Sequence, residues 1–377
     1  MKPQECCVLI PSLSPDEKLP AYVQELLAAD FGLILVVDDG SAPEYQPIFS
    51  RIAGWERCAV THHEVNRGKG AALRTGFAYI KERTALRGVI TADSDGQHTV
   101  PDTLKLAAEL GKKEEVLLGS RDFSRNNPNV PPKSRFGNRL TSVVFRLLYG
   151  QWLPDTQTGL RAFERGLIDF MLSVTGDRFE YEMNMLIQCS ARKIPLRAIT
   201  IETIYHEENK GTHFHPIRDS WRIYKLLLGN FFRFMSASVI CMLVDVLLFT
   251  LLKHVEFLTD LELNTPWLRA LSRSVEPVLL ATVIARVCSA TLNFLLNKNM
   301  VFRIKESKGA AARYFALCAA VMLASGVAVS ALHALTGVNS TAIKLCVDFL
   351  LFFVNYRVQR AWVFPQKSAA LTKGDGK

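Results

Sequence analysis

Charge is scarce along this chain. Asp, Glu, Lys and Arg supply 21% of the 377 residues, and the net charge of +9 comes with no long Lys/Arg tract and no nucleic-acid module. The excess is therefore assigned to basic patches beside a membrane, and a nucleic-acid partner is excluded. The eight cysteines form no C-x-x-C pair, and Cys241, Cys288, Cys318 and Cys346 fall in apolar runs. That scatter argues against a disulfide framework and for reduced thiols with a cytoplasmic polar half. No P-loop spacing occurs. The start, MKPQECCVLIPSL, lacks the long apolar core and small-residue cleavage site of a signal peptide and is read as a first strand.

Hydrophobic residues are not scarce. They make up 49% of the chain, with several long apolar runs after residue 230. Length and this asymmetry give about two domains: residues 1–230, a membrane domain at 231–366, and a tail at 367–377. In the first, short apolar segments at 6–11, 32–37, 58–62 and 88–90 alternate with helical stretches. One of these, 15–29, sets Leu19, Tyr22, Val23, Leu26 and Leu27 on one face. The alternation predicts an α/β domain with a mostly parallel sheet that binds ligands beyond the carboxyl ends of its strands.

Three stretches carry the chemistry. VVDDGS puts Asp38 and Asp39 at a strand end. One carboxylate is expected to accept hydrogen bonds from a base or ribose and the other to cap the next helix, with Asp39 assigned to the ligand. NRGKGAALRTG (66–76) starts a helix, its glycines allow close backbone approach, and Arg67 and Lys69 add charge near a helix N-terminus. A flexible turn before an amphipathic helix gives the same pattern. TADSDGQH (91–98) sets Asp93, Asp95 and Gln97 at alternate positions after the strand 88–90. On extended backbone these share a face. Hard oxygens so placed suit Mg²⁺ or Mn²⁺ completed by substrate phosphates, and a solvated acidic turn is the alternative.

The ordered set IPSLSP, VVDDGS, NRGKG, ADSDGQH, GSR (119–121) and DTQTGLRAF (155–163) resembles family 2 glycosyltransferases. The likeness is strongest to the polyprenyl-phosphate branch, which includes dolichol-phosphate mannosyltransferase and bactoprenol glucosyltransferase. It spans roughly residues 5–215 and implies a GT-A fold, an inverting transfer from a nucleotide sugar, and a metal-bound diphosphate. By motif it implies that Asp93, Asp95 and Gln97 contact metal and diphosphate. It further implies that Pro11, Val37, Asp38, Asp39, Lys69 and Ala92 line the nucleotide-sugar site with Asp93 and Asp95, and that Arg121 and Arg135 face the acceptor phosphate. Members often carry a Gly-x-Ser-Lys element after the last strand. Here ENKGTHFH has Thr212 and His213 in that place, so a diphosphate contact by Lys210 or His213 stays open.

The nature of the acceptor follows from its acidity. A sugar hydroxyl needs a positioned base to become a nucleophile, whereas a phosphate monoester, with a second pKa near ~6, is already ionised and needs cations. SRDFSRNNPNVPPKSRFGNR (120–139) supplies Arg121, Arg125, Lys133, Arg135 and Arg139 on a loop able to fold over the substrates. An ordinary solvated loop is the alternative. Asp155, Glu180 and Glu182 could each serve as a base, and a structural role holding Arg161 or Arg178 is preferred for all three.

From Pro216 to Leu228, Arg218, Arg222 and Lys225 lie beside Trp221 and Tyr224, which suits a helix in the headgroup layer or one packed on the enzyme domain. Four hydrophobic spans follow, near 231–252, 277–297, 313–335 and 339–360. The loop from Lys253 to Pro277 has three Lys/Arg and four acids, Lys298 to Arg313 five and one, and 357–377 five and one. By the positive-inside rule both termini are cytoplasmic. NFLLNKNMVF (293–302) returns as NYRVQRAWVF (355–364), implying two parallel helical hairpins with amide, base and aromatic anchors at the interface. These endings make residues 231–365 similar to the GtrA family, four-span proteins associated with lipid-linked sugar translocation. Lys344 and Asp348 are placed to neutralise each other, and Asp245 and Arg286 to pair across the first hairpin.

The reading is a metal-dependent inverting transferase of the inner (cytoplasmic) membrane, moving one hexose from a UDP- or GDP-sugar to a polyprenyl phosphate of the undecaprenyl type. Oligomeric state, a homo-oligomer included, is left open. The rivals are transfer to a lipid or glycan hydroxyl and a non-enzymatic lipid-sugar transporter. A processive synthase is disfavoured by the lack of a Q-x-x-R-W element in the polar half.

Overall fold

The structure, a computed structural model, describes residues 1–124, 127, 130–202, 216–253, 277–304 and 309–365. Arg125, Lys210, Thr212 and His213, the Lys253–Pro277 loop and the tail therefore lie, wholly or nearly so, outside the described residues, as does the Lys133 side chain. The chain divides into two compact units, Met1–Leu227 and Leu228–Gln366.

In the first unit the apolar runs become strands with helices between them. They are β1 (Cys6–Ser12), α1 (Lys18–Ala28), β2 (Leu33–Asp38), α2 (Gln46–Ala53), β3 (Cys58–His62), α3 (Lys69–Arg83), β4 (Gly88–Thr91), α4 (Val100–Glu109), β5 (Val116–Arg121), α5 (Pro132–Tyr149), β6 (Arg161–Glu164), α6 (Ile168–Ser173), α7 (Glu180–Arg192) and β7 (Leu196–Ile201). The sheet order is β3-β2-β1-β4-β6-β5-β7, and β6 runs antiparallel between β4 and β5 while the other pairings are parallel. This is the GT-A-like sheet the sequence implies.

Strands covered on both faces have no polar side to alternate with, which is why β1 reads as the unbroken run CCVLIPS, buried throughout. Val8 and Ile10 pack with Leu19, Val23, Phe49 and Leu106 on one face. Leu9 points to the other, where Gly76 of α3 lies so close that an added Cβ would overlap its side chain. There Phe77 meets Phe163 edge to face with centroids 5.4 Å apart.

The chain winds from β1 outward through β2 and β3, then crosses back to lay β4 on the other side of β1. The crevice beyond the carboxyl ends at such a reversal is where open α/β sheets bind ligands. Pro11 pairs in register with Val37 and Ser12 with Asp38, while the Ala92 N–H donates to Leu9 O at 3.0 Å. The ends of three neighbouring strands thus bring Pro11, Asp38, Asp39 and Asp93 to one edge.

All eight cysteines are free. Burial pushes the Cys6 thiol up to about 11, Cys189 to about 12, and Cys7 higher still. Alkylation of the native chain near pH ~8 should leave these three unmodified, and mass spectrometry after denaturation should find all three reactive. Labelling of Cys7 in the native state would contradict the packing of β1.

The second unit holds the rest of α8 (Pro216–Lys253), then α9 (Pro277–Leu296), α10 (Ala310–Thr336) and α11 (Ser340–Val358). Residues 216–228 open the 38-residue α8. Within the first unit this opening stretch packs on α5: Tyr224 and Thr141 hydroxyls bond at 3.1 Å, and Tyr149 Oη donates to Leu227 O at 2.9 Å. By length and composition Tyr224–Leu252 and Ala310–Thr336 can cross a membrane, with mean hydropathies of 2.3 and 2.2.

The two expected ion pairs form, Arg286–Asp245 at 3.1 Å and Lys344–Asp348 at 2.9 Å. A serine joins each, Ser289 donating to Asp245 at 2.9 Å and Ser325 to Asp348 at 2.5 Å. The internal repeat is also real. Its equivalent positions meet, Asn297 Nδ2 donating to Gln359 Oε1 at 3.1 Å, and Phe302 stacks on Phe364 at 5.1 Å. These amides and rings are buried, so they tie the two hairpin ends together instead of anchoring them at an interface. Each end unwinds into a π-turn, Asn297–Val301 and Gln359–Val363.

Candidate active site

Asp93 follows β4 directly, but TADSDGQH does not continue as a strand. A turn forms at 94–95, Gly96 takes φ 76°, and Asp95 Oδ1 accepts the Gln97 N–H at 3.0 Å. This Asx turn replaces the extended backbone on which Asp93, Asp95 and Gln97 would have shared a face. What survives is a carboxylate pair, Asp93 and Asp95, near enough for one charge to act on the other.

The two carboxyls differ in their surroundings. Burial works to raise the Asp93 carboxyl, yet Lys69 and His98 outweigh it and hold the group below the usual range. Lys69 Nζ lies 2.6 Å from Asp93 Oδ1, and His98 Nε2 lies 3.4 Å from Oδ2. Asp95 is pushed up, first by burial and then by the charge of Asp93. Gly159 packs flat against the Asp93 carboxylate, and a Cβ there would overlap its oxygens.

Lys69 begins α3 and reaches two acids, Asp93 and, at 3.1 Å, Glu182 Oε1. Burial disfavours its charge, but the two carboxylates more than compensate and keep it protonated. Behind Glu182 stands Arg161, 2% exposed, whose Nη2 is 4.0 Å from Oε1. Arg161 is itself fixed by donation to Thr158 O and Glu182 O, each at 2.8 Å. The register Thr91↔Arg161 and Leu118↔Arg161 explains why an arginine in the middle of a sheet faces this cluster.

The glycine-rich stretch serves the protein's own chain. Asp39 Oδ1 accepts from Arg67 N (2.9 Å) and His63 Nδ1 (2.7 Å), and Oδ2 from Gly68 N (2.7 Å). Gly68, at φ 99°, and Gly70 leave room for the backbone of Gly176 and Asp177 and for Tyr181. Asp39, assigned to the ligand from sequence, is buried and accepts from this loop. Asp38 is equally engaged, accepting from Ser41 N (2.8 Å), Gln46 Nε2 (3.0 Å) and His62 Nδ1 (3.0 Å). Asp39 meets the N–H groups of the loop, which would otherwise be buried without partners, while Asp38 ties the turn at Ser41 to Gln46 and His62. Val37 and Ala92 are fully buried beneath the crevice edge.

The two arginines assigned to an acceptor phosphate bracket the loop that starts after β5. Arg121 closes β5 and is gripped by Asp155, Nε at 2.7 Å and Nη2 at 3.2 Å. Arg135, in the first turn of α5, donates through Nη2 to Asn127 O (2.9 Å) and Val130 O (3.4 Å), bracing its own loop. The partner of Asp155 is thus Arg121, not Arg161 or Arg178. Glu182 holds Lys69 and Arg161, and Glu180 accepts the Arg178 N–H at 3.4 Å. Sequence reading assigned no role to His98 or Gly159. His98 lay in the acidic stretch, but only its burial, with neither ring nitrogen hydrogen-bonded among the described residues, marks it.

The donor set suits Mg²⁺ or Mn²⁺. Two adjacent carboxylates at a strand end, one of them reluctant to ionise alone, supply hard oxygens. Among the described residues no group of three or more His, Cys, Asp or Glu side chains is placed to cage an ion, so further ligands would come from a bound phosphate.

Residues 7–171 match the family model Glycosyl transferase family 2, and residues 233–364 match GtrA/DPMS, transmembrane domain. A UDP-N-acetylglucosamine–dolichyl-phosphate N-acetylglucosaminyltransferase of Methanococcus voltae is 28% identical over 55% of this chain and 89% of its own. A dolichyl-phosphate beta-glucosyltransferase of Drosophila melanogaster is 25% identical over 56% and 70%. An undecaprenyl-phosphate 4-deoxy-4-formamido-L-arabinose transferase of Pseudomonas paraeruginosa is 28% identical over 44% and 49%.

Proposed function

We propose that this chain, a family 2 glycosyltransferase domain followed by a GtrA/DPMS transmembrane domain, moves a single hexose from a UDP- or GDP-sugar to a polyprenyl phosphate at the cytoplasmic face of the inner membrane. The acceptor class is carried over from the relatives' names, dolichyl and undecaprenyl phosphate. One observation carries it here. Two of the three carboxylates that could have served as a base face cations, Asp155 on Arg121 and Glu182 on Lys69, and the third, Glu180, accepts among the described residues only the Arg178 N–H at 3.4 Å. An acceptor that arrives ionised has no use for a base.

In this mechanism an oxygen of the lipid phosphate attacks the anomeric carbon as the bond to the nucleoside diphosphate breaks, and single displacement inverts the configuration. Asp93 and Asp95 would hold a Mg²⁺ or Mn²⁺ that, when bound, neutralises the departing diphosphate. Lys69 stands beside Asp93 to meet the same charge. Arg121, set by Asp155, and Arg135, at the head of α5, orient the acceptor phosphate. The donor's nucleoside is placed along the crevice edge at Pro11, Asp38 and Asp39.

The deciding assay follows label from UDP- and GDP-hexoses into extractable lipid, with polyprenyl phosphate and the corresponding polyprenol offered side by side. Transfer to the phosphate alone supports this function. Transfer to the alcohol alone reinstates the hydroxyl acceptor, and no transfer with a full donor panel reinstates a transporter.

The membrane domain is assigned passage of the lipid-linked sugar, with both termini cytoplasmic. Arg286 and Lys344, each balanced by an Asp and a Ser, are the cations available to the lipid phosphate within the spans. Arg286→Gln with Lys344→Gln should slow translocation in proteoliposomes several-fold, by order of magnitude the loss of one charged contact, and leave sugar transfer on the outer surface of the vesicles unchanged. Unchanged translocation would reduce both pairs to structural ties.

A further inference from the structure

We propose that Lys69 is a resident counter-cation: its ammonium occupies Asp93 while the site is empty and moves aside onto Glu182 when a divalent ion arrives. The inference rests on the metal-dependent reading above and deepens it.

Neither oxygen of Asp93 is free to take a metal as the structure stands. Oδ1 carries the Lys69 ammonium at 2.6 Å, Oδ2 faces His98 at 3.4 Å, and the backbone at Gly159 covers the carboxylate from the side. A divalent ion would sit about 2.1 Å from a carboxylate oxygen, in the space the ammonium fills. Two cations cannot share that oxygen in a setting where Lys69 is 17% exposed and Asp93 27%. One of them must leave.

Lysine can leave at little cost. Its charge sits at the end of four methylenes, and a second acid is already in reach, Glu182 Oε1 at 3.1 Å. Glu182 stays in place, because Arg161 Nη1 donates to its backbone O and Nη2 lies 4.0 Å from Oε1, with Arg161 itself tied to Thr158 O. The ammonium therefore trades two carboxylates for one without being stranded. In the empty site it also keeps Asp93 from standing beside Asp95 as an unbalanced pair of negative charges, a costly arrangement in a partly buried crevice.

This arrangement predicts opposite effects from two neutralising substitutions. With the full-length purified chain and Mn²⁺ alone, titrated by electron paramagnetic resonance of the free ion, Lys69→Met should bind Mn²⁺ about tenfold more tightly than the native chain, the worth of one charge-assisted hydrogen bond. Glu182→Gln should bind it several-fold more weakly, since the lysine then has nowhere to go. Lys69→Arg, which restores a cation, should return the affinity toward the native value and controls for damage to the fold. Lys69→Met binding no tighter than native, or Glu182→Gln binding as well as native, overturns the proposal. So does a native chain that transfers sugar at full rate in excess chelator, for then the lysine itself serves as the cation. Labelled-sugar transfer by the native chain is read separately. Transfer to polyprenyl phosphate with flat Mn²⁺ affinities removes only the lysine's role, and opposite Mn²⁺ shifts without transfer uphold that role while removing the proposed acceptor.

Discussion

Asp93→Asn should lower sugar transfer by roughly 10³-fold while leaving the fold in place. The amide has the shape of the carboxylate, so the contact with Gly159 is preserved and the sheet around β4 is undisturbed. What disappears is a negative charge that Lys69 and His98 hold ionised against burial. Without it the leaving diphosphate loses the anchor of its counter-ion, and Asp95 alone supplies one carboxylate where two stood. Asp95→Asn should also fail, with the smaller loss, because Asp93, the carboxylate that Lys69 and His98 face, remains. The measurement is label entering extractable lipid, paired with far-ultraviolet circular dichroism to show an unchanged fold. Near-native transfer by Asp93→Asn would remove the metal and diphosphate chemistry from this end of the sheet.

Asp155→Ala should be the most destabilising change near the site. Asp155 is fully buried and accepts from Arg121 Nε and Nη2 and from Gln157 N at 3.0 Å. Removing it takes away the carboxylate that grips the Arg121 guanidinium through two nitrogens, a loss on the order of 3 kcal/mol for a largely buried pair. The first unit's unfolding midpoint should fall by roughly 6–12 °C. Arg121→Ala with Asp155→Ala should recover part of that loss, because the guanidinium that lost its carboxylate is gone. Transfer should be impaired in both variants through the acceptor, seen as a raised KM for polyprenyl phosphate. A base would behave otherwise. Asp155→Asn would then abolish turnover at native stability, and no change at Arg121 would restore anything.

The positions where expectation and structure part are instructive. Asp39, read from sequence as a ligand residue, accepts from the backbone of Arg67 and Gly68. The glycines of NRGKG, read as room for a ligand, leave room for Gly176, Asp177 and Tyr181 of the same chain. Both sets of contacts share a cause. A buried loop must satisfy its own N–H groups and find room for its own neighbours before it can serve anything else, and those neighbours lie some hundred residues away in sequence. The Asp93, Asp95, Gln97 alternation failed locally, because an Asx turn and a left-handed Gly96 bent the backbone that was to have been straight.

The sequence by itself determined the alternation of strand and helix, the order of motifs along the sheet edge, the apolar spans and the repeat that ties their ends. These depend on residue type and periodicity, which are local and written in the chain. Only the tertiary structure decided which charge answers which: Lys69 to both Asp93 and Glu182, Arg121 to Asp155, Asn297 to Gln359. Partnerships of that kind are set by distance in space and by exclusion of water, and an antiparallel β6 slipped between β4 and β5 is what brings Arg161 and Gly159 to Asp93's side of the molecule.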